Sequence, residues 1–500
     1  MSETNGTYPF LYGRLPIYTS IDGFDPARPE EIISEVNQAL SIHVQNLIAM
    51  EYLYWYRRGI TPIYLKTKSV REEINNKVSE NHAGQIVDWK NGYFLAAPAF
   101  YTSRREDEST ADKVKQLNEY LYVSGKQNAD NELVDWFHTV GKADLFVQSV
   151  DDSDTPFKAY AIDPRSSFVV CSMKPGNEPV FAVHSVVNGD TLTLDVWDKK
   201  NVYRILGTVT GKLVTPDPDY MCTASDIASI EPNPLGEIPI VEYFYNSVRM
   251  SAFEAVVPIL DAINQIQSDR LDGLDQFIQS LLVFYNCTLG EDEDGNAITT
   301  AYVREAGAIF LKAVGENKAD VKQLSTELNQ SQTQVLVENL YEQLNVICGL
   351  PDTTTKSSRG DTGVAVELRD GFRMAETMAR NTEDLFKKSN AQFDRIITKI
   401  LRDKNLLDIN LSDFALNFTR NEIYGMQSKA QSFATLVAAG YHPVIAMSKS
   451  GVSADPVADY EASKGYMRLR WGDPDAPSPQ PTTSIVEEDR SEPASIGETL

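Results

Sequence analysis

Residues 233–285 read "NPLGEIPIVEYFYNSVRMSAFEAVVPILDAINQIQSDRLDGLDQFIQSLLVFY". Two periods meet in this stretch. "GEIPIVEYFYN" is β-branched and aromatic and is bounded by turn residues, which predicts a strand. From Phe253 the apolar residues shift to helical spacing. Val256, Leu260, Ile263, Leu271, Leu274, Ile278 and Leu281 make one stripe. Asp261, Gln265, Ser268, Asp272, Asp275 and Gln279 make a second, wholly polar one. The spacing predicts a helix over 253–285. Pro258 belongs in a first turn, so the regular part starts near Val257 and spans about 45 Å.

Upstream, "PEEIISEVNQALSIHVQNLIAMEYLYWYRR" (29–58) opens with Pro29 and two glutamates and predicts a helix. A second helix is expected to end near Asn91-Gly92, followed by a strand running into Pro98. Residues 111–139 are helical with a break at Ser124-Gly125. Between Asp144 and Tyr245 the pattern becomes short and β-branched: "LFVQSV", "FKAYAID", "SFVVCSM", "VFAVHSVV", "LTLDVW" and "VYRILGTV" predict an antiparallel region. Asn188-Gly189-Asp190 marks a hairpin.

Downstream, "CTLGEDEDGNAITTAYV" carries an Asp294-Gly295 turn and "AGAIFLK" predicts a strand. A second amphipathic helix is expected over 330–348. "GLPDTTTKSSRGDTG" (349–363) then interrupts the pattern, with Lys356 and Arg359 its only cations, before a long helix from about 364 to 403. Leu350-Pro351 ends the first helix, and Asp361 or Thr362 can cap the next. "INLSDFALNFTR" is a strand. "IYGMQSKAQSFATLVAAG" and "ADYEASKGYMRLRW" are short helices joined by a Gly/Ser turn. The Pro-rich, acidic stretch from Gly472 is expected to be disordered.

At 500 residues the chain is too long for one ordinary core, and its 42% hydrophobic share is that of a folded protein. The net charge of −25 argues against a conventional DNA-gripping surface, but not against a protein that surrounds DNA. Cys171, Cys222, Cys287 and Cys348 form no C-x-x-C pair and read as buried reduced thiols. The N-terminus has neither a basic nor an apolar leader region, so no signal peptide is expected, and no apolar run is long enough for a membrane span.

Catalytic motifs fail on inspection. "GTVTGKL" (207–213) is one residue short of a phosphate loop and lacks Ser or Thr after Lys212. "GEDEDG" (290–295) has Gly290 and Ala301 where an EF-hand needs ligands. The five histidines share no ligand spacing. Asp269 and Asp272 could hold Mg²⁺ in a nuclease, but they sit on a regular polar face. No catalytic residue, cofactor or metal site is expected.

The order of parts resembles the portal proteins of tailed bacteriophages, in the siphophage branch. "NPLGEIPIVEYFYNSVRMSAFEAVVPILDAINQIQSDRLDGLDQF" looks like that family's most recognisable segment, a "G-x-I-P" strand leading into an acidic-start helix and an "SD" step. "NKVSENHAGQIVDWKNGYFLAAP" (76–98) resembles its N-terminal helix and strand, with Ala97 before Pro98 in place of Gly. "ICGLPDTTT…TGVAVELRDG" resembles its "G-x-P-D … SG-x-A" junction, with Thr362-Gly363 where Ser-Gly is usual. The resemblance covers about residues 29–470.

It implies an α+β, mainly helical portal fold in a ring, most often of twelve chains, at one capsid vertex. The implied parts are an N-terminal arm (1–28), a wing (29–252), a stem helix (253–285), a clip (286–325), a second stem helix (326–348), a tunnel loop (349–363), a long helix (364–403), a wing strand (404–422), a crown (423–470) and an acidic tail (471–500). The tunnel loop, with Thr353, Thr354, Thr355, Lys356, Ser357, Ser358 and Arg359, would face the DNA. Asp261, Gln265, Asp272 and Asp275 are channel-wall candidates. Glu291, Asp292, Glu293 and Asp294 in the clip would meet the terminase large subunit and the head–tail adaptor. Further implied partners are the major capsid and scaffolding proteins and double-stranded DNA passing non-specifically, with assembly in the host bacterial cytoplasm and no membrane. Two other readings compete: a virion adaptor or scaffold ring that never touches moving DNA, and a metal-dependent nuclease.

Overall fold

The computed structural model describes residues 13–69, 71–105, 107–151, 155–213, 219–278, 281–285, 287–289, 311–313, 320–324, 330–351, 372–419, 425–453 and 456–471. About half of these are helical, so the chain is mixed α and β, with more strand than a mainly helical fold would hold. Two compact units divide it at Tyr424/Gly425.

In the larger unit, helix α1 (Pro29–Arg57) starts as its Pro-Glu-Glu opening predicts and lays Ile32, Val36, Ala39 and Leu40 under a six-stranded sheet. The strand order is β1-β5-β6-β7-β8-β9, with β1 (Ile17–Thr19), β5 (Ser167–Ser172), β6 (Pro179–Asn188), β7 (Thr191–Trp197), β8 (Asn201–Thr210) and β9 (Met221–Pro232). The β6–β7 turn falls at Gly189-Asp190, as the hairpin signal predicts. Two strands of this sheet are additions to the sequence reading. β1 lies in the arm and adds a parallel pairing to β5, whereas the strands between 144 and 245 pair with one another only antiparallel, as expected. β9 is long but is an edge strand, and its acids and small polar residues hide the alternation. Its ladder with β8 is bulged twice. At the second bulge a Cβ on Gly207 would sit 2.2 Å from the Thr223 carbonyl, so only glycine fits.

A second sheet, β10-β3-β4, comprises β10 (Ile240–Phe244), β3 (Lys142–Ser149) and β4 (Phe157–Ile162). It packs with α3 (Glu108–Val123), α4 (Lys126–Val140) and the helix Phe372–Asp403 around Phe137, Leu145, Phe386 and Phe393. The break between α3 and α4 is Gly125, at φ +80°, as expected from Ser124-Gly125. Helix α2 (His82–Phe94) runs past its predicted stop at Gly92. Helical glycine costs about 1 kcal/mol, and the fully buried Phe94 in the last turn outweighs it. Strand β2 (Ala97–Ser103) starts where the predicted strand was to end, and pairs with β15 (Phe414–Thr419).

The long helix predicted over 253–285 is corrected. A 3₁₀ turn (Glu254–Val256) leads into α5 (Val257–Ile278), about 33 Å long. Leu281–Tyr285 is instead strand β11, paired antiparallel with β14 (Asp320–Leu324). A five-residue apolar run carries too little period to separate strand from helix, and Leu281 fell by chance on the helical stripe. β12 (Cys287–Leu289) and β13 (Leu311–Ala313) pair in the same part of the chain. Helix α6 (Gln330–Cys348) matches its prediction. Helix α7 (Phe372–Asp403) is the described part of the long helix. A third core joins α1, α2, α5 and α6 through Met50, Tyr56, Val87, Phe253, Leu260, Leu344 and Cys348.

The smaller unit contains α8 (Gly425–Ala438), α9 (Pro443–Ser450) and α10 (Pro456–Trp471), with Met447, Tyr460 and Met467 at its centre. A Gly/Ser turn was predicted where α9 stands. Two turns of helix leave almost no period to read, although Pro443 at its start and Gly451 (φ +63°) at its end are ordinary stop signals.

Candidate functional site

The polar face of α5 is not an open one. Residues 66–69 and 71–80 of the same chain form a strap along it. The N–H groups of Asn76, Val78 and Glu80 donate to Asp272 Oδ1 (2.6 Å), Ser268 Oγ (2.9 Å) and Asn264 Oδ1 (2.8 Å). Two extended residues advance about 6.6 Å and four helical residues 6.0 Å, so every second strap amide meets every fourth helix residue, antiparallel. The three accepting side chains are at most 2% exposed.

Charge reinforces the strap. Lys66 Nζ reaches Asp269 Oδ1 (2.8 Å) and Asp272 Oδ2 (2.9 Å), and Lys68 also pairs with Asp272. Burial alone would raise the Asp272 carboxyl. The hydrogen bonds from Lys68, Lys66 and Asn76 outweigh it and hold the group well below the usual carboxylate range. Asn76 Nδ2 adds a bond to Asp275 Oδ2 (2.7 Å). Glu80, at the strap's end, accepts from Gln267 on α5 (2.8 Å) and Tyr341 on α6 (2.5 Å), which ties both helices to one carboxylate.

Of the four wall candidates, Asp272 is covered by the strap, which corrects the picture of a uniformly solvated stripe. Asp261 is half-buried and accepts from Tyr56 OH (2.8 Å), Asp275 is half-buried beside Asn76, and Gln265 is exposed. Thr353–Arg359 and Glu291–Asp294 lie outside the described residues. So do the capping residues Asp361 and Thr362 and the acidic tail.

The root of α5 carries a second anchor that sequence reading missed. Glu254 accepts from Gly13 N (2.9 Å), Arg14 Nη2 (2.6 Å) and Ser251 N (2.9 Å), and both charged side chains of the Arg14–Glu254 pair are fully buried. The arm is thereby sewn to the 3₁₀ turn that leads into the helix. Arg14 and Glu254 are 240 residues apart, and nothing local in the sequence links them.

The chemical decoys resolve as structure. "GTVTGKL" is the end of β8 and its turn, where Lys212 N donates to Asp219 Oδ1 (2.5 Å). Asp269 and Asp272 share Lys66 as a counter-ion, which fills the place a Mg²⁺ would need. Among the described residues no three His, Cys, Asp or Glu side chains are grouped to hold a metal. His43 is buried against Phe168 and the Arg165 carbonyl, and burial pushes its pKa down to about 3. Of the cysteines read as buried, Cys348 is buried, whereas Cys171 and Cys222 are half-buried. Burial still pushes the Cys171 and Cys348 thiols up to about 12 and 11, which keeps them protonated and unreactive.

Over residues 38–444 the sequence matches the model of a family of structural, non-enzymatic phage proteins. That family is described as "Phage portal protein, SPP1 Gp6-like", and the chain belongs to it. Two solved structures are similar to this chain at 11% identity. "Neck of empty GTA particle computed with C6 symmetry" covers 74% of this chain and 90% of its own, with a TM-score of 0.40. "Virion of native gene transfer agent (GTA) particle" covers 74% and 89%, with a TM-score of 0.39. At these scores they add nothing to the family match. No curated protein matches the chain. Membership makes this a portal protein of the phage virion. None of its described helices is long and apolar enough to cross a membrane.

Proposed function

We propose that copies of this chain close into a ring, twelve by the family's habit, at one capsid vertex, and that double-stranded DNA enters and leaves through its centre. The observation that carries this reading is the apolar surface left on the α5–α6 pair. Leu271 and Leu274 on α5 and Val335 and Leu336 on α6 are each more than 40% exposed. Four such residues on two contacting helices need cover, and repeated heterologous contacts that close supply it.

In this arrangement α5 and α6 form the stem, and residues 286–325 the clip. There Glu291–Asp294 would offer an acidic face to the terminase large subunit and later to the head–tail adaptor. The α/β body is the wing, and α8–α10 form the crown, in reach of capsid and scaffolding proteins. Gln265, Asp261 and Asp275 reach solvent on α5 and are the wall candidates. Asp272 acts from behind, through the strap. Thr353–Arg359 would face the DNA, where Lys356 and Arg359 touch phosphates without reading bases.

Deleting 353–362 tests the reading. Assembled rings with empty heads are the expected outcome. Normal DNA filling would favour an adaptor ring that never meets moving DNA. Lys356→Ala with Arg359→Ala should change the rate or extent of packaging while ring yield stays the same; loss of rings in that double variant would contradict the assignment.

A further inference from the structure

Among the described residues three lysines are buried in the larger unit. Lys126 pairs with Asp130, and Lys142 with Asp144 and Glu242. Lys90, 7% exposed, has no carboxylate within ion-pair distance among the described residues. Its ammonium donates instead to the main-chain carbonyl of Cys348 (2.7 Å) and to Tyr245 OH (3.1 Å). Cys348 is the last residue of α6, so the cation sits on the helix C-terminus, where the carbonyl dipoles sum to about half a negative charge. The helix end is otherwise closed by its own turn, with Leu350 N donating to Asn345 O (2.8 Å).

The same helix, α2, also touches the start of α7. Tyr93, one turn from Lys90, donates its hydroxyl to Glu376 Oε2 (3.1 Å). The residue just past the end of α6 packs on α7. Gly349 is at φ +64°, and a Cβ there would lie 2.4 Å from Met378 Sδ on α7. Trp89, Lys90, Tyr93, Tyr245, Ala375 and Met378 line a cleft of only about 20 Å³, room for a water and little more.

We propose that Lys90 is a positioning residue for DNA passage. With Tyr93 it holds the C-terminus of α6 and the Glu376 turn of α7 onto the wing helix α2, and so fixes the described chain on both sides of residues 352–371. This rests on the reading of 353–362 as the DNA-facing segment. Lys90 acts through the α6 carbonyl and touches no DNA itself. A neutral side chain would keep the packing and lose the hold on the helix dipole.

The experiment uses assembled particles of the full chain: wild type, Lys90→Met, Tyr93→Phe and the 353–362 deletion. Hydrogen exchange is followed by peptide, together with DNA content per head. Lys90→Met is expected to speed exchange at 344–351 by about ten-fold, to leave β6–β8 unchanged, and to lower DNA content in a normal yield of heads. Tyr93→Phe is expected to speed exchange at 372–380 by about three-fold, and it carries the test should Lys90→Met fail to assemble. Unchanged exchange at both helix ends overturns the proposal. So does equal acceleration in β6–β8, which would mean a general loss of stability. Local acceleration with full heads overturns it too, provided the deletion empties them. If the deletion itself leaves heads full, the DNA-facing reading has failed, and the clamp is then judged on exchange alone.

Discussion

Asp394 on α7 turns its carboxylate inward onto Tyr101, whose hydroxyl donates to it, and onto Asn390 Nδ2 (3.0 Å). Burial pushes its pKa up to about 7, against the Tyr101 bond and nearby Lys126, and Asp130 adds to the rise. A free aspartate titrates near 4, so the folded chain holds an extra proton between about pH 4 and 7. Stability from this group is therefore present below pH 4 and lost as pH rises through 7. Asp394→Asn keeps the acceptor and removes the charge. It should be more stable than wild type by about 1–3 kcal/mol at pH 8 and about equal at pH 4, read as a difference in urea midpoints. A wild type that gains on the variant as pH rises would reverse the assignment. Three asparagines show why such detail is hidden in a sequence. Asn37, Asn46 and Asn118 sit on helices, yet each carboxamide pairs with both the N–H and the C=O of one strand or arm residue: Ala224, Leu15 and Tyr101. Each stands in for a missing neighbouring strand. In the sequence they are polar residues on helices and nothing more.

At the scale of elements, the strap on α5 is the largest departure from what the sequence made legible. The stripe Asp261, Gln265, Ser268, Asp272, Asp275 was visible at helical spacing, and a solvated face was its simplest meaning. The partner lies about 190 residues away in a segment with no regular period, so no local signal could supply it. Asp272→Ala removes the acceptor of the Asn76 N–H and leaves Lys66 and Lys68 short of a counter-ion. The expected cost is about 2–3 kcal/mol, with local loosening of 66–80 read as faster proteolysis there. A variant as stable and as protected as wild type would mean the strap is held by something else. Other elements were legible because their signals were long. The 29-residue α1 and 19-residue α6 carried several turns of period, and β4–β8 carried alternation with turns between. The failures were short or at edges: β1 with three residues, α9 with eight, β9 with one buried position, and β11 continuous in sequence with a helix.

The whole molecule was legible through order rather than through any one residue. A wing-like α/β body, a helix, a small β insert, a returning helix and a long third helix recur in the described structure, and the family match spans 38–444. The candidate site was legible only in part, since sequence marked α5 and the 349–363 interruption but gave no hint of Lys90, Glu254 or the strap. Charge is the property that acts at this scale. Twelve chains at −25 would carry about −300 formal charges. A channel wall with few cations avoids the counter-ion release that makes each phosphate contact a trap, about 0.9 per contact in the log–log salt slope. In the proposed ring, packaging would depend only weakly on salt, with Lys356 and Arg359 as the proposed exception.

Images of the purified full-length oligomer viewed down its axis test the central claim most directly. The account predicts closed rings, a uniform subunit count near twelve, and a central opening that admits a DNA duplex. Monomers, two-fold dimers or open filaments at the same concentration would contradict it.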